Sequence, residues 1–243
     1  MNDILLYFAY KYKNNPREIN KALAYAEEVD FSQVQRIKDE LVKNKIGYIS
    51  MLDYDYPQQL KEYLNSPHII FYKGNRDLLK NQMISLAGDF YDDKTEKTLN
   101  NSLDTIMKRF TLLNLNFRNL DQILLERFRS QNKPVIHVLT CGHIFYDHYA
   151  NLENELYIST YLPNLHTKKE YFKQRNELVS QLSKLLLIYN SKQESGIINL
   201  AYNFANNNKE VFCYPSNDYN DGNNYLIKNG ANLITHIADI NYY

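Results

Sequence analysis

Apolar positions along this chain change their rhythm near residue 47. Before it they recur at helical spacing. Ile4, Leu5, Phe8 and Ala9 form one stripe, Pro16 breaks the chain and opens a second helix, and Ser32 is expected to cap a third. In that third helix Val34, Ile37, Leu41 and Val42 are expected to share a face. No strand pattern interrupts the stretch, so a small helical module over residues 1–50 is predicted, with a second domain over 51–243.

Beyond Gly47 short apolar runs alternate with longer periodic segments. HIIFYKG (68–74), MISLAG (83–88), FTLLNLN (110–116), PVIHVLTCG (134–142), KLLLIYN (184–190) and EVFCYP (210–215) read as buried strands. Between the later ones stand helical segments: 95–110, 119–131, 170–183 and 195–207. Strands alternating with helices of ten or more residues predict an α/β domain with a mostly parallel, Rossmann-like sheet covered on both faces. In such sheets ligands sit at the carboxyl ends of the strands, beside helix N-termini.

Composition narrows the function without choosing it. Lysines and arginines number 28, as do aspartates and glutamates, so no overall field attracts nucleic acid and any anion site must be local. The two cysteines, Cys141 and Cys213, lie in or beside apolar runs and read as buried thiols. No apolar run reaches membrane-spanning length, and MNDILLYFAYKYK lacks the features of a signal peptide, so a cytoplasmic protein without membrane association is expected. The six histidines show no metal spacing, and no nucleophile or phosphate-loop motif occurs. No catalytic residue, metal or cofactor is therefore expected.

Three stretches could carry binding chemistry. In MISLAGDFYDDKTEK, Gly88 would let the backbone approach a phosphate, but Asp89, Asp92 and Asp93 crowd that turn and suit a capped helix start. In NSKQESGIINLA, Ser195 caps a helix, Gly196 leaves its first N–H groups accessible and Lys192 is near; this suits an anion cradle or a plain cap. In HTKKEYFKQRNE, Lys168, Lys169, Lys173 and Arg175 interleave with Tyr171 and Phe172. That pattern suits single-stranded nucleic acid or a solvated helix face.

Read in order, the pieces resemble the DprA/Smf family (DNA-processing protein A). YPQQLKEYLNSPHIIFYKG is similar to the segment that opens that family's α/β region. VIHVLTCGHIFYDHYANLENEL is similar to its Val-Leu-x-x-Gly segment. EYFKQRNELVSQLS resembles its Phe-Pro-x-Arg-Asn-Arg motif through Phe172, Arg175 and Asn176, and ESGIINLA resembles its Ser-Gly-Ser helix start. VFCYPSNDYNDGNNYLIKNGANLI resembles its closing segment. The resemblance implies a non-catalytic, homodimeric protein that binds single-stranded DNA and hands it to a RecA-type recombinase in DNA uptake, transformation or recombination. Carried over, Gly88, Arg118, Arg175, Asn176, Ser195 and Gly196 are DNA-binding residues, and the cations Lys173 and Lys192, read from the local charge pattern, join them.

The chain also departs from the family's pattern. Gly88-Asp89-Phe90 stands where the family has Gly-Ser-Arg, so a phosphate-contacting arginine is replaced and a carboxylate arrives. NLNFRNLD stands for Ser-Gly-Leu-Ala-x-Gly-Ile-Asp, with Leu115 and Asn119 in place of its glycines. Each lost cation lowers affinity and its salt dependence. One alternative is therefore a Rossmann-like protein that keeps the fold for a protein-interaction role without DNA binding. A lesser one is a nucleotide phosphoribohydrolase of the LOG type, although QESGIINLA lacks that group's glycines and catalytic glutamate.

Overall fold

The computed structural model describes residues 2–116, 120–218 and 220–240. In chain order its first elements are α1 (Asn2–Lys11), α2 (Pro16–Ala24), α3 (Phe31–Lys43), β1 (Gly47–Ser50), β2 (Ile69–Gly74) and β3 (Met83–Gly88). Next come α4 (Asp93–Met107), β4 (Thr111–Asn114), α5 (Leu120–Ser130), β5 (Val135–Val138) and β6 (Glu155–Ser159). The chain continues through α6 (Lys169–Leu182), β7 (Leu185–Asn190), α7 (Gly196–Asn206), β8 (Val211–Cys213), α8 (Gly222–Lys228) and β9 (Asn232–Leu233). Two compact units result: Met1–Lys80 with Leu139–Phe172, and Asn81–Val138 with Lys173–Tyr243.

In the first unit three helices pack with an antiparallel sheet. Asp30, not Ser32, caps α3: its carboxylate accepts from the amides of Ser32 (2.9 Å) and Gln33 (3.3 Å), and from the Ser32 hydroxyl (2.7 Å). The helix begins one residue before Ser32, so the acceptor two residues back from its amide is the one in reach. Val34, Ile37 and Leu41 face the core, whereas Val42 is 77% exposed, because one residue advances about 100° around a helix and leaves the stripe. Leu6, Phe8, Ile19, Ile69 and Phe71 join them in the core. Strand β2 pairs antiparallel with β1 (Ser50↔Ile69) and with β6 (Phe71↔Ser159). Neither β1 nor β6 was expected from the pattern: GYIS and ELYIS are short and mix polar with apolar side chains.

The second unit is the Rossmann-like part of this α/β fold. Its sheet runs β5-β4-β3-β7-β8-β9, and these strands pair in parallel. MISLAG and LLLIYN are buried along their whole length, as strands covered on both faces must be. Leu99, Leu103 and Ile106 of α4, Leu124 and Phe128 of α5, and Leu187 of β7 share one core. Fully burying each such side chain contributes roughly 1.5–3 kcal/mol. From β3 the strands run outward through β4 to β5 on one side. On the other side β7, β8 and β9 follow, so the order reverses between β3 and β7.

Candidate functional site

A reversal of strand order splays the loops on either side and opens a crevice at the carboxyl ends of the strands. Here those ends are Gly88 and Asn190. The two strands pair in register from Ile84↔Leu185 to Ala87↔Ile188, then slip, so that Gly88 lies opposite Asn190. A slip of this kind re-aims the side chains beyond it. The Asn190 carboxamide bridges the loop after β3. Its Oδ1 accepts from the amides of Asp89 (2.9 Å) and Phe90 (3.0 Å), and its Nδ2 donates to Phe90 O (2.9 Å) and Thr95 Oγ1 (2.8 Å).

On the β7 side the chain turns into α7. Ser195 is the N-cap; its Oγ accepts from the Ile197 amide at 3.1 Å and donates to Asp89 Oδ1 at 2.8 Å. The Lys192 amide donates to Asp89 Oδ2 at 2.7 Å. A single carboxylate thus engages one amide and one hydroxyl of the neighbouring loop. That loop is also held from behind, where Gly222 N donates to Ser191 O (2.8 Å) and Ser191 Oγ donates to Asn223 Oδ1 (2.7 Å). A Cβ at Gly222 would meet Lys192 O at 2.7 Å, so close backbone approach requires glycine there. Asn223, fully buried, donates to Ile188 O (3.2 Å) and Tyr214 O (2.8 Å) and ties α8 to the ends of β7 and β8.

The residues expected to bind DNA are distributed as follows. Ser195 and Gly196 stand at the start of α7, with Gly196 and the Lys192 side chain exposed. Gly88 is buried, and the space a Cβ would take is filled by Leu120 Cδ2 at 2.2 Å, so packing alone demands glycine at that position. Lys173 is exposed on α6, whereas Arg175 and Asn176 are buried. Arg175 Nη1 donates to Leu115 O, just past β4, and Nη2 donates to Asn176 Oδ1 at 3.1 Å. Asn176 Nδ2 reaches Asn199 Oδ1 of α7 at 3.4 Å. Tyr171 is buried and stacked on Tyr161 at 3.9 Å, while Phe172 is half exposed. Arg118 lies outside the described residues.

The acidic turn after β3 divides its work. Asp92 caps α4, accepting from Thr95 N (2.7 Å) and Thr95 Oγ1 (2.6 Å). Those bonds hold its carboxyl below the usual range. Asp221, cap of α8, shifts the other way because burial disfavours its charge. The Cys213 thiol is pushed up to about 12, chiefly by burial and further by Asp221, and is inert as a nucleophile. Asn190 and Asn223 are the two organising residues the sequence reading passed over. Asn190 could have been found by its place: it ends a continuous apolar run, where a strand's last side chain meets the crevice. Among the described residues no three His, Cys, Asp or Glu side chains are placed to hold a metal ion, and no helix is long and apolar enough to cross a membrane.

Comparison with known proteins places this arrangement in context. The family model described as DNA recombination-mediator protein A matches residues 47–110 and 127–243. The DNA processing protein DprA of Streptococcus pneumoniae is 25% identical over 209 residues, covering 81% of this chain and 73% of the relative. The DprA of Bacillus subtilis is 25% identical over 241 residues, covering 92% and 80%. Among solved structures, that of the S. pneumoniae DprA superposes with a TM-score of 0.79 at 22% identity over 99% of both chains. The Helicobacter pylori DprA structure, described for that protein's single-stranded DNA-binding mode, gives 0.67 at 20% identity over 81% of this chain and 94% of its own. Both structural likenesses are likenesses of fold.

Proposed function

The chain belongs to the DNA recombination-mediator protein A family, and from that premise we propose that it binds single-stranded DNA without acting on it chemically. In this reading it works as a cytoplasmic homodimer and passes the strand to a RecA-type recombinase. The observation that carries the reading is the family match across most of the chain, joined to exposed Lys192 and Gly196 beside the reversal of strand order. Support also comes from the H. pylori relative, whose own structure is described by its single-stranded DNA binding. A domain division at residue 50 belongs to the same proposal, since the family match begins at residue 47.

Within it, Lys173 and Lys192 supply charge to the backbone of the strand, with Phe172 available to a base. Gly88, Asn176 and Arg175 act from beneath: Gly88 admits Leu120, and Arg175 braces α6 against the end of β4. A second reading, a protein-interaction role without DNA binding, is favoured by one observation, the carboxylate of Asp89 on the donors of the β7–α7 loop.

The test is a titration of fluorescent oligo-dT against wild type, Lys173→Ala and Arg175→Ala at two salt concentrations. Wild type binds, and Lys173→Ala weakens binding and lowers the salt slope by about 0.7, the value of one phosphate contact on a single strand. If Arg175→Ala lowers that slope equally, the guanidinium reaches DNA; if it lowers only stability, it is a brace. No binding by wild type even at low salt overturns the proposal in favour of the second reading.

A further inference from the structure

Asp89 stands apart from the other carboxylates of its turn. Asp92 already caps α4, so Asp89 is not needed there, and its carboxylate instead reaches across the reversal of strand order. One oxygen takes the Lys192 amide at 2.7 Å and the other takes the Ser195 hydroxyl at 2.8 Å. These are the donor types, a loop amide and the hydroxyl of a helix cap, that a phosphate oxygen would use. Nor is the carboxylate loosely placed. Asn190 fixes the backbone on both sides of its Cα through the amides of Asp89 and Phe90, and Gly222 packs against the carbonyl of Lys192 to fix the donor loop. Donors and carboxylate are each held by a separate part of the fold.

We propose that Asp89 is a built-in anion that locks this crevice: it occupies the donors at Lys192 and Ser195 and excludes an external phosphate from them. An approaching phosphate would have to break both bonds and then stand beside a fixed negative charge. The consequence for nucleic acid rests on the DNA-binding reading above: a strand bound by this chain is held by exposed cations such as Lys173 and does not seat a phosphate on the β7–α7 loop. Asp89 is then the residue that sets where on the sheet edge, and how tightly, this chain holds a strand.

The test separates the lock from DNA binding. Backbone amide resonances of Lys192, Gly196 and Ile197 are followed in wild type, Asp89→Ser and Asp89→Asn while inorganic phosphate is added, with thermal melts confirming that each variant is folded. In wild type these resonances stay in place; in Asp89→Ser they move and saturate, and Asp89→Asn, which keeps the shape but not the charge, falls between. Oligo-dT then binds Asp89→Ser about tenfold more tightly than wild type, with a steeper salt dependence. The lock is overturned if phosphate moves the wild-type resonances at the same midpoint as those of Asp89→Ser, or if it moves neither. If Asp89→Ser takes up phosphate and wild type never binds oligo-dT, the lock stands and the DNA-binding reading alone falls. If wild type binds oligo-dT and phosphate moves neither protein's resonances, the lock alone falls.

Discussion

The loops that follow β3 and β7 leave neighbouring parallel strands at the same edge of the sheet, and each leads into a helix with its own side-chain cap. Asp92 serves α4 and Ser195 serves α7. Beyond their caps the loops are opposites. The first carries a surplus carboxylate, Asp89, while the second carries surplus donors, the Lys192 amide and the Ser195 hydroxyl. Adjacency turns the contrast into complementarity, since what one loop lacks the other supplies. Local capping chemistry is settled within each loop, whereas the bond that joins them depends on both strands ending side by side.

Breaking the junction at its centre has the largest expected effect. Asn190→Ala removes two accepted and two donated bonds, three to the loop after β3 and one to Thr95 of α4. We expect a loss of about 4 kcal/mol, measured by urea unfolding, since each such bond is worth about 1 kcal/mol net. Next comes the support behind the donor loop. Gly222→Ala forces a methyl group against Lys192 O and Ser191 Oγ, and overpacking of this kind costs about 2 kcal/mol. A drop in melting temperature without loss of the sheet's circular dichroism would bear this out; no drop would show that the loop yields freely.

The smallest effects distinguish the two caps. Ser195→Ala removes the cap of α7 and one hydrogen bond to the Asp89 carboxylate, so it is expected to cost about 1.5 kcal/mol; Asp92→Ala removes the cap of α4, about 1 kcal/mol. Acid sharpens the difference. The folded-state pKa of Asp92 is depressed, so its contribution is complete above the usual carboxylate range and is lost as pH falls through the lowered value. The stability gap between wild type and Asp92→Ala should therefore close below about pH 4, in unfolding curves measured at successive pH values. A gap that persists in acid would mean that the charge of Asp92 is not what caps α4.

Much of the fold could be read from the chain because its strands are continuous apolar runs. MISLAG and KLLLIYN announce buried parallel strands, and the segments between them have helical periodicity. The strands that escaped, GYIS and ELYIS, are short and antiparallel, and their pairing rather than their composition makes them strands. Of the site, Ser195 and Gly196 were legible because a serine before a glycine at the start of an apolar helix is a local capping signal. Arg175 was legible as a motif residue, but not as a buried one. Its partner, the carbonyl of Leu115, lies 60 residues earlier in the chain.

By itself, then, the sequence determined most of the helices and the buried parallel strands, because these follow from interactions within a few residues. Only the tertiary structure decided what occupies the candidate site. The Asp89 carboxylate and the Ser195 hydroxyl are 106 residues apart in the chain, and they meet because β3 and β7 pair and then slip by one residue at Gly88. Nothing local in GDFYDD records that one of its acids caps its own helix while another crosses to the next. Strand register settles it, since a hydrogen bond forms only where donor and acceptor are brought within about 3 Å.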